Sequence, residues 1–335
     1  MSSHLPVIDL RLFETGSEVE RARIVAQVRA ALEGIGFMMI AGHRVDQTLI
    51  DRVSRASLDF FDRTEQEKLA CVTTKPGNRG YNRMRGRTVG IATDPALLKS
   101  LQESYGIGRI DVPDEPYFKA PSRQATFAEN IWPDKPADFE LVMKEYYGEM
   151  ERVFFTVMRL FAATLDLPPA YFDKKIDRHG SVLRLTHYPA LDRAPLPKEE
   201  RAGAHTDNGI LTILHIDDTP DSLAVQLRSG EWIYVNRVPG TFVINIGDLM
   251  MRWANDKWVS NVHRVANPPL VNGRTSRRLS LVYFCQCNDD TVVACLPNCT
   301  GPENPPRYPP IVAGEYTAMR AALRYGETQP GAKAV

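Results

Sequence analysis

Three residues of this 335-residue chain are candidates to share a metal ion. His205 and Asp207 stand two apart in GAHTDNGILTIL (Gly203 to Leu214), just before a run that alternates threonine and aliphatics. Residues two apart on a strand point to one face, so the imidazole and the carboxylate are expected to reach a common ion. His263, in SNVHRV on a later β-rich stretch, is the best candidate for a third ligand. Two histidines and one carboxylate leave coordination positions open. That set suits non-haem Fe(II) and oxygen chemistry better than a closed structural zinc site. HxD alone arises often by chance; HxD followed by a strand histidine in a β-rich half is more specific.

A second pair lies in RRLSLVYF. Arg278 and Ser280 share a strand face. A buried guanidinium needs an anionic partner, because an unpaired buried charge is very costly. Its planar fork fits a carboxylate, and the serine hydroxyl adds a hydrogen bond. An open metal centre and a carboxylate anchor would together suit a small dicarboxylate that chelates metal at one end. 2-Oxoglutarate has that shape.

These residues need a scaffold. The first half reads as mixed and largely helical. PVIDL (Pro6 to Leu10) and Phe37 to Ile40 are predicted short strands. Glu18 to Leu32 and Asp46 to Phe61 carry apolar residues at helical spacing, and Gly34 and Gly36 end the first of these helices. Lys75 to Val89, rich in glycine, arginine and asparagine, is predicted to be a loop, and Phe139 to Leu165 one long helix. The second half is predicted to hold strands at Val182 to Tyr188, Leu211 to Ile216, Leu223 to Leu227, Trp232 to Val235, Thr241 to Ile246, Val259 to Val265 and Arg278 to Phe284. Such close spacing favours a sandwich or barrel. Ser229-Gly230, Pro239-Gly240 and Asn272-Gly273 are turn signals. A helix is expected from Glu315 to Arg324.

Composition bounds the partners. Lys+Arg and Asp+Glu both number 41, so the formal net charge is zero. No broad electrostatic grip on nucleic acid or anionic membrane is expected. No apolar run reaches the length of a membrane span, and MSSHLPVIDL lacks a secretory pattern. The five cysteines, Cys71, Cys285, Cys287, Cys295 and Cys299, are an odd number in a large chain. Reduced structural thiols in a cytoplasmic protein fit them better than a disulfide framework or a zinc knuckle. His43 and His215 read as structural, and His187 as facing away from Tyr188. The basic stretch Arg79 to Arg87 reads as solvated, with a lid over an anionic substrate as the alternative.

In their order along the chain, LPVIDL, GFMMIAGHRV, FFDRTEQEK, RGYN, LRLTHYP, GAHTDNGILTIL, INIGDLMMRWAND, SNVHRV and RLSLVYF resemble the isopenicillin N synthase-like family of Fe(II)/2-oxoglutarate-dependent oxygenases. The resemblance covers nearly the whole chain. It implies a mainly β fold with flanking helices, built on a double-stranded β-helix, or jelly roll. Residues 1–178 would form an N-terminal mixed α/β region packing on the core, 179–290 the jelly-roll core, and 291–335 a C-terminal loop and helix. It implies His205, Asp207 and His263 as iron ligands, and Arg278 and Ser280 as the anchor of the far carboxylate of 2-oxoglutarate. Tyr188 would donate to the same carboxylate, and Phe284 would line the pocket of a small-molecule substrate. The implied reaction consumes O2 and 2-oxoglutarate, releases succinate and CO2, and hydroxylates, desaturates or cyclises the substrate.

Two departures stand out. Thr186 occupies a position where plant relatives often have asparagine, and NPPLVNGRTS (267–276) is expected to form a hairpin extension. Alternatives stay open at this level: an oxidase of the isopenicillin N synthase type that uses no 2-oxoglutarate, an ethylene-forming variant, a zinc hydrolase, or a non-catalytic ligand-binding jelly roll. Neither the main substrate nor the oligomeric state is legible.

Overall fold

The computed structural model describes residues 5–72, 77, 79–84, 100–196, 199–268, 270 and 275–325. The chain opens with β1 (Val7–Asp9), α1 (Leu10–Thr15), α2 (Glu18–Gly34), β2 (Phe37–Ala41), α3 (Gln47–Phe61) and α4 (Glu65–Leu69). Next come β3 (Gly80–Asn82), β4 (Glu103–Ile107), α5 (Pro116–Lys119), α6 (Phe139–Thr164) and α7 (Asp173–Ile176). The β-rich half contains β5 (Val182–Tyr188), β6 (Ala202–His205), β7 (Leu211–Ile216), β8 (Leu223–Gln226), β9 (Trp232–Val235) and β10 (Phe242–Ile246). It continues through α8 (Asp248–Trp253), β11 (His263–Val265) and β12 (Arg278–Cys285). The chain then adds β13 (Val292–Val293), β14 (Ile311–Val312) and α9 (Ala313–Tyr325).

The helices start where local chemistry satisfies their first N–H groups. Ser17 with Glu20 and Thr64 with Glu67 form reciprocal capping boxes at α2 and α4. Asp46 caps α3 by accepting from Thr48 N. α2 ends at Gly36, which holds φ at +71°; a β-carbon there would sit 1.9 Å from the carbonyl oxygen of Val259. α6 buries residues along its whole length, from Phe139 through Tyr146, Val153 and Phe161, at spacings of three and four. It packs against α2 and α3, and its Tyr147 ring meets Tyr283 of the larger sheet edge-on.

Two facing sheets form the jelly roll. The larger runs β1-β2-β10-β7-β12-β5-β4-β3, and the smaller runs β6-β11-β8-β9. The N-terminal region contributes β1 to β4 to the larger sheet, which is therefore shared with the β-rich half. In the register of β12 with β5, Arg278 faces Tyr188 and Ser280 faces Thr186. Alternation sends both pairs to the inner face, toward the smaller sheet.

Several expectations need correction. The stretch expected as a loop from Lys75 contains β3, which pairs with β4. Arg79 is not solvated: it is 3% exposed and donates to the carbonyl oxygens of Thr126 (2.6 Å) and Ala128 (3.2 Å). Residues 85–89 lie outside the described residues, as do Asn272 and Gly273. The strand expected from Val259 begins only at His263, because Val259 N bonds to Leu32 O in α2 instead of to a strand. At the flanks of the expected hairpin extension, Thr275 N bonds to Leu191 O and Asn267 donates to Glu199 O.

Candidate active site

His205 is the last residue of β6, and Asp207 lies beyond the strand end. Strand alternation therefore does not bring the two together; the turn after β6 does. Asp207 O accepts from Asp248 N, and Gly247 packs tightly behind, where a β-carbon would stand 2.3 Å from Gly209 O and 2.8 Å from Asp207 O. His263 arrives on β11, directly opposite His205 in the ladder. Each histidine places Nε2 3.9 Å from Asp207 Oδ1, too long for a hydrogen bond. One ligand atom from each of the three residues lies within 4.8 Å of the others, and among the described residues this is the one such cluster of His, Cys, Asp or Glu.

The surroundings orient the three side chains. His205 Nδ1 lies 2.7 Å from Gly203 O and His263 Nδ1 lies 3.1 Å from Asn261 O. Carbonyl oxygens only accept, so both Nδ1 atoms carry hydrogen and both Nε2 atoms carry the lone pair. Asp207 Oδ2 accepts from Thr212 Oγ1 (2.6 Å) and Asn245 Nδ2 (2.8 Å), which aims Oδ1 at the histidines. Burial pushes the Asp207 carboxyl up, but the charges of His263 and His205 and these hydrogen bonds outweigh it, and the net shift is downward. A buried carboxylate with two imidazole Nε2 atoms facing it is a donor set that fits a divalent cation.

The other end of the same cavity presents a buried cation and a buried hydroxyl. Arg278 is 1% exposed and Ser280 2% exposed. Arg278 Nε, Arg278 Nη1 and Ser280 Oγ find no hydrogen-bond partner among the described residues. Buried polar atoms without partners are costly, and both residues line the cavity that also holds His205, Asp207 and His263. The Arg278 guanidinium lies 5.0 Å from the Tyr188 ring centroid. Burial raises the Tyr188 hydroxyl, against the lowering by Arg278 and Arg201, so it stays a protonated donor. Arg201, a second buried cation, lies 5.7 Å from the same ring; no motif in the sequence singles it out. Burial, then the charge of Arg278, lower it to about 10. Phe284, Thr186, Arg184 and Gln102 complete the cavity, with Arg184 4.8 Å from the Phe284 ring.

His43, His187 and His215 hold structure. His187 faces away from the cavity, with Nδ1 2.7 Å from Glu103 Oε1 and Nε2 accepting from Arg277 Nε. Glu103 also accepts from Lys68 (2.8 Å) and Tyr81 (2.6 Å), a buried network one residue behind Tyr188. His43 stacks on Phe242, and His215 lies edge-on to the same ring. All five cysteines are free; four are buried, and Cys295 is partly exposed.

Comparison with known proteins defines the class. Residues 5–135 match the model of the non-haem dioxygenase in morphine synthesis N-terminal region, and residues 179–287 that of the 2OG-Fe(II) oxygenase superfamily. The chain is 34% identical to the 2-oxoglutarate-Fe(II) type oxidoreductase hxnY of Emericella nidulans, over 97% of this chain and 91% of that one. It is 32% identical to the 2-oxoglutarate-dependent dioxygenase citB of Monascus ruber, over 86% of each. Its structure superposes on that of a full-length Neurospora crassa protein in complex with alpha-KG and thymine, with a TM-score of 0.83 and 30% identity, covering 95% of this chain and 96% of that one. The chain belongs to the 2OG-Fe(II) oxygenase superfamily, in its isopenicillin N synthase-like branch. It is an Fe(II)- and 2-oxoglutarate-dependent dioxygenase of small organic substrates.

Proposed function

We propose that His205 Nε2, Asp207 Oδ1 and His263 Nε2 hold the iron, and that Arg278, Ser280 and Tyr188 hold the far carboxylate of 2-oxoglutarate. The observation that carries this is the set of buried donors on Arg278 and Ser280 without partners among the described residues, in one cavity with the three-residue cluster. A carboxylate there supplies the counter-charge and acceptors that the fold withholds. With iron and 2-oxoglutarate bound, the centre uses O2 to oxidise a C–H bond while the cosubstrate becomes succinate and CO2.

The protein's own part is placement. Asn245 and Thr212 keep Asp207 oriented, the Gly203 and Asn261 carbonyls fix both imidazole tautomers, and the apolar wall of Leu214, Leu223, Val265 and Val282 limits water around the cluster. Phe284 is the substrate contact: its half-buried ring offers a flat apolar face beside Arg184 and Gln102. A small planar molecule with a hydrogen-bonding edge, hydroxylated in place, fits that wall. The Neurospora crassa structure holds a molecule of that kind, thymine. The free thiols support a cytoplasmic location.

The test is anaerobic addition of Fe(II) and then 2-oxoglutarate to metal-free protein, followed by the weak visible charge-transfer band of the chelated cosubstrate. The band is expected in wild type and absent in His263→Ala. A metal-binding wild type that forms no band with 2-oxoglutarate points to the substrate-only oxidase instead.

A further inference from the structure

The C-terminal helix reaches the loop that carries the metal cluster. Asp248, the first residue of α8, is 8% exposed, and its carboxylate is crowded with donors. Ser260 Oγ donates to Oδ1 at 2.8 Å, and Thr206 Oγ1 donates to Oδ2 at 3.2 Å. Thr206 stands between His205 and Asp207, and Ser260 lies three residues before His263. The Asp248 backbone N–H donates to Asp207 O at 2.7 Å. One buried carboxylate thus ties together the two segments that bring all three cluster residues.

That carboxylate needs a counter-charge, and α9 supplies it. Arg320 Nη2 lies 3.1 Å from Asp248 Oδ2, and Arg320 Nε donates to Asn208 Oδ1 at 3.1 Å. Tyr316, one turn earlier on α9, places its hydroxyl 3.5 Å from the same Oδ2. Asn208 directly follows Asp207. The guanidinium fork therefore grips the turn twice, through Asp248 and through Asn208. Lysine carries the charge but not the fork.

We infer that Arg320 is a positioning residue for the metal centre: α9, through Arg320 and Asp248, holds the 205–208 turn in the geometry that binds metal. This rests on the assignment of His205, Asp207 and His263 as ligands. The Arg320 side chain is 34% exposed, so its loss removes little packing. Its effect falls on the turn, because no other Arg or Lys pairs with Asp248 among the described residues.

The experiment is Mn(II) binding to full-length protein, read by loss of the free-ion electron paramagnetic resonance signal, without turnover. Wild type, Arg320→Ala, Arg320→Lys and His263→Ala are compared, with thermal unfolding of each metal-free protein. Partners behind metal ligands typically change affinity by 10- to 100-fold, so Arg320→Ala is expected to bind Mn(II) about 10-fold more weakly. Arg320→Lys should recover part of the loss, and His263→Ala should bind least. A purely structural role would lower the melting temperature and leave Mn(II) affinity alone. Equal affinity in wild type and Arg320→Ala overturns the inference while leaving the ligand assignment standing. A wild type that binds no Mn(II), or one matched by His263→Ala, overturns both.

Discussion

Replacing Arg278 with methionine tests the anion end of the cavity through two effects of opposite sign. In the protein alone, the Arg278 guanidinium is buried with two nitrogens lacking acceptors among the described residues. Desolvating an uncompensated charge costs several kcal/mol, and an apolar side chain of similar length removes that cost. Arg278→Met without 2-oxoglutarate should therefore be at least as stable as wild type, although a buried residue has been changed. With 2-oxoglutarate the sign reverses. Losing one partner of a buried, hydrogen-bonded charge pair costs about 2–5 kcal/mol. Taking about 3 kcal/mol, at 1.4 kcal/mol per decade, the dissociation constant rises about 100-fold. Wild type at 100 times its dissociation constant gains about 2.7 kcal/mol of stability from the ligand, and the variant at the same concentration gains well under 1 kcal/mol. The assay is urea unfolding of both proteins with Mn(II), with and without 2-oxoglutarate, beside an anaerobic Fe(II) titration of the charge-transfer band. Two results would refute the reasoning: a variant less stable than wild type without ligand by more than about 2 kcal/mol, which is the scale of ordinary core damage, or an unchanged cosubstrate affinity.

Three further outcomes follow from the geometry. Thr212→Val removes the 2.6 Å hydrogen bond to Asp207 Oδ2 at nearly constant volume, and metal affinity should fall about 10-fold in the Mn(II) assay; an unchanged value means Asn245 alone orients the carboxylate. Gly247→Ala forces a methyl group to within 2.3 Å of Gly209 O, so stability should drop by about 1–3 kcal/mol in urea, with loss of metal binding; wild-type stability would contradict the tight packing behind Asp207. Burial, aided by the charge of Arg237, pushes His215 down to about 4. Below its ordinary pKa of 6.5 the unfolded chain takes up a proton that the folded chain refuses, so stability contributed by the neutral ring is full above 6.5 and falls as pH drops toward 4. The loss is at most about 3 kcal/mol across that window. His215→Phe should flatten that part of the unfolding profile, and an equal slope in both proteins would show that other groups cause it.

Elements whose signal is local were legible in the amino-acid order alone. The helix over Phe139–Thr164 and the strands at Val182–Tyr188, Leu211–Ile216 and Trp232–Val235 were legible because their patterns follow from burying one face or two. The residue types at 205, 207, 263, 278 and 280 pointed to the proposed chemistry, a metal site beside a carboxylate anchor, without excluding the alternatives. What the sequence could not show was anything satisfied at long range. β4 (ESYGI) opens on an acid and carries serine and glycine, so it has no clear apolar pattern, and Glu103 is buried there with Lys68, Tyr81 and His187 as partners. Val259 to Asn261 looked like strand, yet their bonding goes elsewhere: Val259 N to α2 and the Asn261 carbonyl to the His263 ring. Asp207 was expected on a strand and sits in a turn, so its alignment with both imidazoles comes from Thr212, Asn245, Gly247 and Asp248. Arg320 is more than a hundred residues away from that turn in sequence and in contact with it in space. Ligand identity is written in side-chain chemistry. Ligand geometry depends on backbone and side-chain partners that only the folded chain brings together.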